Sequence, residues 1–132
     1  MAYRIYLVDD DKFLLDLYAI KFKNAGHEVG VFGTAEDFLK TLRKDAATPP
    51  DAILLDLIMP GLSGFDALET MHKENLISQS KTKIIILSNQ GQDSDIEKAK
   101  QLGADGYIIK ASAIPSEVFD ETIRILEKGT TS

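Results

Sequence analysis

The sequence contains no cysteine, which excludes disulfides, thiolate metal ligands and a thiol nucleophile. Basic residues are in deficit: 15 Lys and Arg stand against 21 Asp and Glu, for a formal net charge of −6. A dense basic face able to displace counterions from nucleic acid is therefore missing, and direct nucleic-acid binding by this chain is not expected. No apolar run approaches the length that a membrane span requires. The N-terminal MAYRIYLV lacks the basic region and long apolar stretch of a signal peptide and leads straight into acidic residues. Cytoplasmic residence without membrane association is the expectation. What is present is ordinary for one soluble domain: 132 residues, 44% hydrophobic and 27% charged, enough to bury a core without covalent staples.

The apolar residues alternate between short runs and helical stripes. The runs are Ile5-Tyr6-Leu7-Val8, Val29-Gly30-Val31-Phe32, Ala52-Ile53-Leu54-Leu55, Ile84-Ile85-Ile86-Leu87 and Tyr107-Ile108-Ile109. Their length and their Ile, Val and Leu content suit strands buried on both faces of a parallel sheet. Between them, Leu14, Leu17, Tyr18 and Phe22 stripe a helix that Gly26 stops. Thr34 with Asp37 resembles a capping box ahead of Phe38, Leu39 and Leu42, and Thr48-Pro49-Pro50 breaks the chain. Phe65, Leu68 and Met71 stripe a third helix; Ile96, Ala99 and Leu102 stripe a fourth that stops at Gly103. Pro115 suits the first turn of a last helix carrying Phe119, Thr122, Ile123 and Leu126. Five alternations of strand and helix argue for an open α/β parallel sheet covered on both faces. The expected domain is 1–128, followed by a polar tail at 129–132.

Reactive groups follow four of the five strands. The first ends in Asp9-Asp10-Asp11, the third in Asp56, the fourth in Ser88 and the fifth in Lys110. The C-terminal ends of parallel strands share one edge, where ligands bind at the switch in strand order. Three carboxylates, a hydroxyl and an ammonium should therefore converge there. Clustered carboxylates suit Mg²⁺, a hard cation that offsets their repulsion and accepts a phosphate oxygen. Beside it, an ionised Asp can act as a nucleophile towards phosphorus, while Lys and Ser hold the other oxygens.

The motifs LVDDD, LLDLIMPGLSG, IILSNQG and LGADGYIIK, in this order and spacing from about Arg4 to Leu126, resemble the receiver domain of two-component response regulators, the family of the bacterial chemotaxis regulator. The resemblance implies a three-layer (βα)5 fold, a doubly wound five-stranded parallel sheet of flavodoxin-like order 2-1-3-4-5. It implies a signalling switch rather than an enzyme, acting in a phosphorelay. Asp56 would be the phosphoacceptor. Asp10 and Asp56 would ligate Mg²⁺ (or Mn²⁺) directly with the backbone carbonyl of Ile58, and Asp9 through a metal-bound water. Lys110 would pair with Asp56 and then with the phosphoryl group. Ser88 would hydrogen-bond a phosphoryl oxygen, its displacement letting Tyr107 turn from an outward to an inward rotamer and altering the face of the fourth helix, fifth strand and fifth helix. The implied partners are a sensor histidine kinase or phosphotransfer protein and a downstream protein, the chain itself being a monomer or a weak phosphorylation-dependent dimer.

Plainer readings stand beside these. Asp11 reads as a helix N-cap, His27 and His72 as structural, and Phe13 and Tyr18 as packing or surface aromatics. Tyr107 fits a packing aromatic as well as a switch. Three positions depart from the usual receiver pattern. Ala111 follows Lys110 where proline with a cis bond is commoner, so a cis bond here would cost about 3–4 kcal/mol. Asn89 replaces a smaller residue and is expected to narrow access to Asp56. Ile58 and Gln90 flank the path of the hydrolytic water, and apolar Ile58 is expected to prolong the phosphorylated state. Two rivals remain: a haloacid dehalogenase-like phosphatase, which would carry a second Asp at position 58, and a degenerate receiver acting as an interaction module.

Overall fold

Five parallel strands form one sheet in the order β2-β1-β3-β4-β5 in the computed structural model of the chain. The structure describes residues 2–45, 47–78, 81–88, 93–110 and 114–130. The elements are β1 (Arg4–Val8), α1 (Lys12–Asn24), β2 (Glu28–Phe32), α2 (Ala35–Lys44), β3 (Ala52–Leu55), α3 (Gly64–Lys73), β4 (Lys83–Ser88), α4 (Asp93–Gln101), β5 (Gly106–Ile109) and α5 (Pro115–Thr130). The doubly wound flavodoxin-like sheet expected from the sequence is the sheet observed.

Side-chain alternation along the strands divides the core in two. Tyr6, Val8, Ile53, Leu55, Ile84 and Ile86 pack with α2, α3 and α4. Ile5, Leu7, Leu54, Ile85, Leu87 and Ile108 face α1 and α5 on the other side. Strands of period two thus supply both inner layers, as a sheet covered on both faces requires. The edge strand β2 departs from the expectation of burial. It pairs with β1 alone and leaves Val31 47% exposed, because half of its surface faces no other strand or helix.

Helix boundaries follow local chemistry. Asp11 caps α1 by accepting from the Leu14 N–H, as expected, and Gly26 and Gly103 take φ of 92° and 93° just past α1 and α4. The buried stripe of α1 is Leu15, Tyr18, Ala19 and Phe22, whereas Leu14 is half-buried and Leu17 exposed. Leu14 and Leu17 precede Leu15 and Tyr18 by one residue, about 100° around the helix, which turns them off the inner face. Thr34 accepts from Asp37 N–H at 3.1 Å. Among the described residues, though, the reciprocal capping box forms at Ser63 and Asp66, where both bonds are present. Helix α5 runs through Thr130, so 129 and 130 belong to its last turn and not to a tail. No helix among the described residues is long and apolar enough to cross a membrane.

Candidate functional site

The sheet order reverses between β1 and β3: from β1 the chain first adds β2 on one side and then β3 on the other. This is where a doubly wound sheet opens its crevice. Val8 and Leu55 are partners in the β1–β3 ladder, so Asp9 and Asp56 each stand one residue beyond the same rung. The backbone holds them there: Asp9 N–H donates to the Phe32 carbonyl at 3.1 Å and Asp56 N–H to the Val8 carbonyl at 2.9 Å. Ser88 pairs with Ile109 in the β4–β5 ladder, which brings Lys110 to the same edge.

Lys110 is the centre of the cluster. Its Nζ lies 2.8 Å from Asp9 Oδ2 and 3.3 Å from Asp56 Oδ2, and all three side chains are buried. Lys110 thus makes the pair with Asp56 that the resemblance implied, and lies closer still to Asp9; it bridges the two. The remaining oxygens are also engaged. Asp9 Oδ1 accepts from the Asp11 N–H at 2.9 Å, and Asp56 Oδ1 from the Ile58 N–H at 3.3 Å.

Burial, and next the negative charge of Asp9, push the Asp56 carboxyl from 3.8 up to about 6, against the pull of Lys110 and the Ile58 N–H. Burial by itself would favour a neutral Lys110. The hydrogen bond to Asp9 and the charges of Asp56 and Asp9 outweigh it and hold the ammonium above its ordinary range. Two carboxylates share one cation here, and the pocket is still short of positive charge.

Asp10 completes the donor set. It is exposed, and one oxygen from each of Asp9, Asp10 and Asp56 lies within 4.8 Å of the others. All three donors are hard oxygens, two buried and one open to solvent, which suits a divalent cation that keeps part of its water shell. The cluster could hold a metal ion.

Ser88 is buried at the end of β4, and a side-chain hydrogen bond links it to the half-buried Tyr107. Burial raises the Tyr107 phenol while the Ser88 bond acts in the opposite sense. Ile58 is 57% exposed beside the site. Asn89, Gln90 and Ala111, and with them the Lys110–Ala111 bond, lie outside the described residues. The histidines stand away from the cluster. His27 Nδ1 accepts from Tyr3 N–H at 3.0 Å amid the rings of Tyr3, Phe22 and Phe119, and His72 Nε2 donates to the Leu102 carbonyl. Phe13 is exposed and Tyr18 is core.

One residue at the site went unnoticed in the sequence. A Cβ on Gly64 would lie 2.7 Å from Leu57 Cα and closer still to the Asp56 carbonyl oxygen. Backbone meets backbone there, and the Gly64 N–H donates to the Leu57 carbonyl at 2.9 Å. The start of α3 is thus pressed against the turn that carries Asp56. Its position in the LLDLIMPGLSG segment, at the mouth of a capped helix, was the available signal.

Comparison with known proteins agrees with this geometry. The chain is 29% identical over 126 residues to the transcriptional regulatory protein AfsQ1 of Streptomyces coelicolor, covering 95% of this chain and 52% of that protein. It is 31% identical over 110 residues to the DNA-binding response regulator MtrA of Mycobacterium tuberculosis, covering 83% and 45%. The chain thus spans about half the length of the curated relatives it matches. Among solved structures, the BeF3-activated receiver domain of DrrB from Thermotoga maritima superposes with a TM-score of 0.78 at 28% identity, covering 96% of this chain and 99% of that one. A CheY-like receiver domain protein from Methanospirillum hungatei gives 0.83 at 25% identity, covering 98% and 97%. The model of the response regulator receiver domain matches residues 5–118, and with that match spanning β1 to the start of α5 the chain belongs to the response regulator receiver domain family.

Proposed function

We propose that this chain is a phosphoryl-accepting signalling switch in which Asp56 is the acceptor. The observation that carries this reading is the buried Lys110 ammonium, shared by Asp9 and Asp56 with Asp10 alongside. Asp9, Asp10 and Asp56, with the Ile58 carbonyl, are the residues that would hold Mg²⁺, or Mn²⁺ in its place. When bound, the ion supplies neutralising charge to the carboxylates and to a phosphoryl oxygen. An Asp56 carboxylate oxygen attacks the phosphorus of a phosphohistidine on a sensor kinase or phosphotransfer protein. The O–P bond forms as the P–N bond breaks, and the electron pair leaves with the donor imidazole, which takes up a proton from solvent. Lys110 and Ser88 hold the remaining phosphoryl oxygens.

The Ser88–Tyr107 hydrogen bond supports the switch part of the reading. Recruiting Ser88 to a phosphoryl oxygen would break that bond, free Tyr107 to repack and alter the α4-β5-α5 face offered to a downstream partner. Exposed Phe13, Ile58 and Ile114, in the loops and first turn around the Asp56 edge, support docking of a protein donor over it. A net charge of −6 supports leaving DNA contact to another part of the regulator, and suits a cytoplasmic domain, monomeric or weakly dimeric on phosphorylation. We read residues 1–128 as the receiver domain. The phosphatase alternative gains nothing from exposed, apolar Ile58 at the position its general acid would occupy. Intact-mass measurement after incubation with a small phosphodonor and Mg²⁺ should show one added phosphoryl group in the wild type and none in Asp56→Ala. An adduct that persists in Asp56→Ala would refute the assignment.

A further inference from the structure

Helix α1 is apolar on two opposite faces. Leu15, Tyr18, Ala19 and Phe22 are buried against the sheet and α5. At about 100° per residue, Phe13, Leu17 and Ile20 fall together on the far side of the helix. They are 72%, 37% and 56% exposed, and they make up half of the six large apolar side chains exposed among the described residues. Their i, i+4, i+7 spacing is that of a helix face that packs on a partner, and a contiguous exposed apolar stripe marks an interaction surface.

The charges beside the stripe narrow the choice of partner. Lys21 Nζ stands 6.0 Å from the centre of the Phe119 ring and so leans towards α5. Lys12 lines a groove with Asp9, Asp10 and Val31, beside the acidic edge. That leaves Asp16 and Lys23, neither of which makes an ion pair among the described residues. Two turns separate them, so both lie on the same flank of the stripe. In an antiparallel pair of identical helices each flank faces its own counterpart. A flank with one acid and one base is then complementary to itself.

We infer that α1 is the contact face of a two-fold dimer, in which the stripe is covered by α1 of a second copy. Setting Leu17 against Ile20 of the second copy places the two-fold axis midway between Tyr18 and Ala19. Asp16 then stands within about two residues, roughly 3 Å along the helix axis, of Lys23 of the second copy. Symmetry supplies that ion pair and the Leu17–Ile20 contact twice, as in any isologous interface. Phe13 lies at each end, level with Asn24 of the second copy. One helix pair buries less surface than a permanent complex needs, so the dissociation constant is on the order of 0.1 mM. The contact uses neither the Asp56 carboxylate nor the α4-β5-α5 face, and it forms without phosphorylation.

The test is sedimentation velocity on the unphosphorylated full chain, from about 10 µM to about 1 mM. The wild type should pass from monomer towards dimer across that range. Leu17→Gln/Ile20→Gln, with folding checked by its melt, should stay monomeric. Asp16→Lys and Lys23→Asp should each associate roughly tenfold more weakly than the wild type, because two attractive contacts become repulsive. Mixed in equal amounts, these two single variants should recover wild-type association, since one flank is then doubly basic and the other doubly acidic. A wild type that stays monomeric up to about 1 mM would assign the stripe to a different protein and overturn the inference. Association that survives Leu17→Gln/Ile20→Gln, or a mixture no tighter than its components, would overturn it as well.

Discussion

Replacing Asp56 by asparagine sets two effects against each other. The substitution breaks the 3.3 Å pair with Lys110, which alone would destabilise the fold. It also removes a buried charge that faces Asp9. The raised pKa decides the balance: burial and Asp9 outweigh Lys110 and lift Asp56 from 3.8 to about 6. An acid whose pKa is higher in the folded than in the unfolded state leaves the native state binding more protons between those values, so this group lowers stability as pH rises through that window. A difference of about two pH units at roughly 1.4 kcal/mol per unit is worth about 3 kcal/mol at neutral pH. Lys110 keeps its 2.8 Å contact with Asp9 in the variant, so no cation is stranded. Asp56→Asn should therefore be more stable than the wild type by about 2–3 kcal/mol at neutral pH in metal-free buffer, a shift of roughly 1–2 M in a urea midpoint. The gain should shrink below about 6 and vanish below 3.8, where the carboxyl is protonated in both states. Urea unfolding followed by circular dichroism across that range, with and without Mg²⁺, measures it, and Mg²⁺ should stabilise the wild type more than the variant. A variant less stable than the wild type at neutral pH, or a difference independent of pH, would show that the Lys110 pair dominates and the reasoning is wrong.

Gly64→Ala should cost more than about 3 kcal/mol, because backbone atoms of Asp56 and Leu57 cannot yield to a methyl group. Gly33→Ala, where nothing stands within 4 Å of a Cβ, is the matched control in thermal melts. Ile58→Asn should shorten the lifetime of a phosphorylated Asp56 by giving water a polar foothold; unchanged decay of the adduct by mass spectrometry would count against a role for Ile58. His27 titrates below its ordinary value, chiefly through burial and then through the charge of the N-terminus. A base with a lowered folded pKa makes stability fall as pH drops through 6.5, so His27→Gln should flatten that part of the wild-type stability profile.

Much of this was legible in the residues. Runs such as Ile84 to Leu87 are too short and too apolar for anything but buried strands between helices, and chemistry at the strand ends followed from the chirality of parallel crossovers. Asp9, Asp10, Asp56, Ser88 and Lys110 could be named because each follows such a run. On α1 the expected Tyr18 and Phe22 do face the core, but Leu15 and Ala19 complete that face in place of Leu14 and Leu17, since Leu14 and Leu15 are equally apolar and only packing against the sheet and α5 selects between them. The edge position of β2 was equally invisible in Val29 to Phe32, because exposure there depends on which strand lies alongside.

The sequence by itself determined the composition of the site: three carboxylates, a hydroxyl and an ammonium, delivered to one edge by the period and order of its elements. Only the tertiary structure decided how those charges share each other. The β1–β3 register sets Asp9 beside Asp56, so Lys110 is claimed first by Asp9, and burial leaves Asp56 short of countercharge. It also decided that Gly64 must have no side chain. Those are facts of distance between segments remote in sequence, which no local pattern encodes.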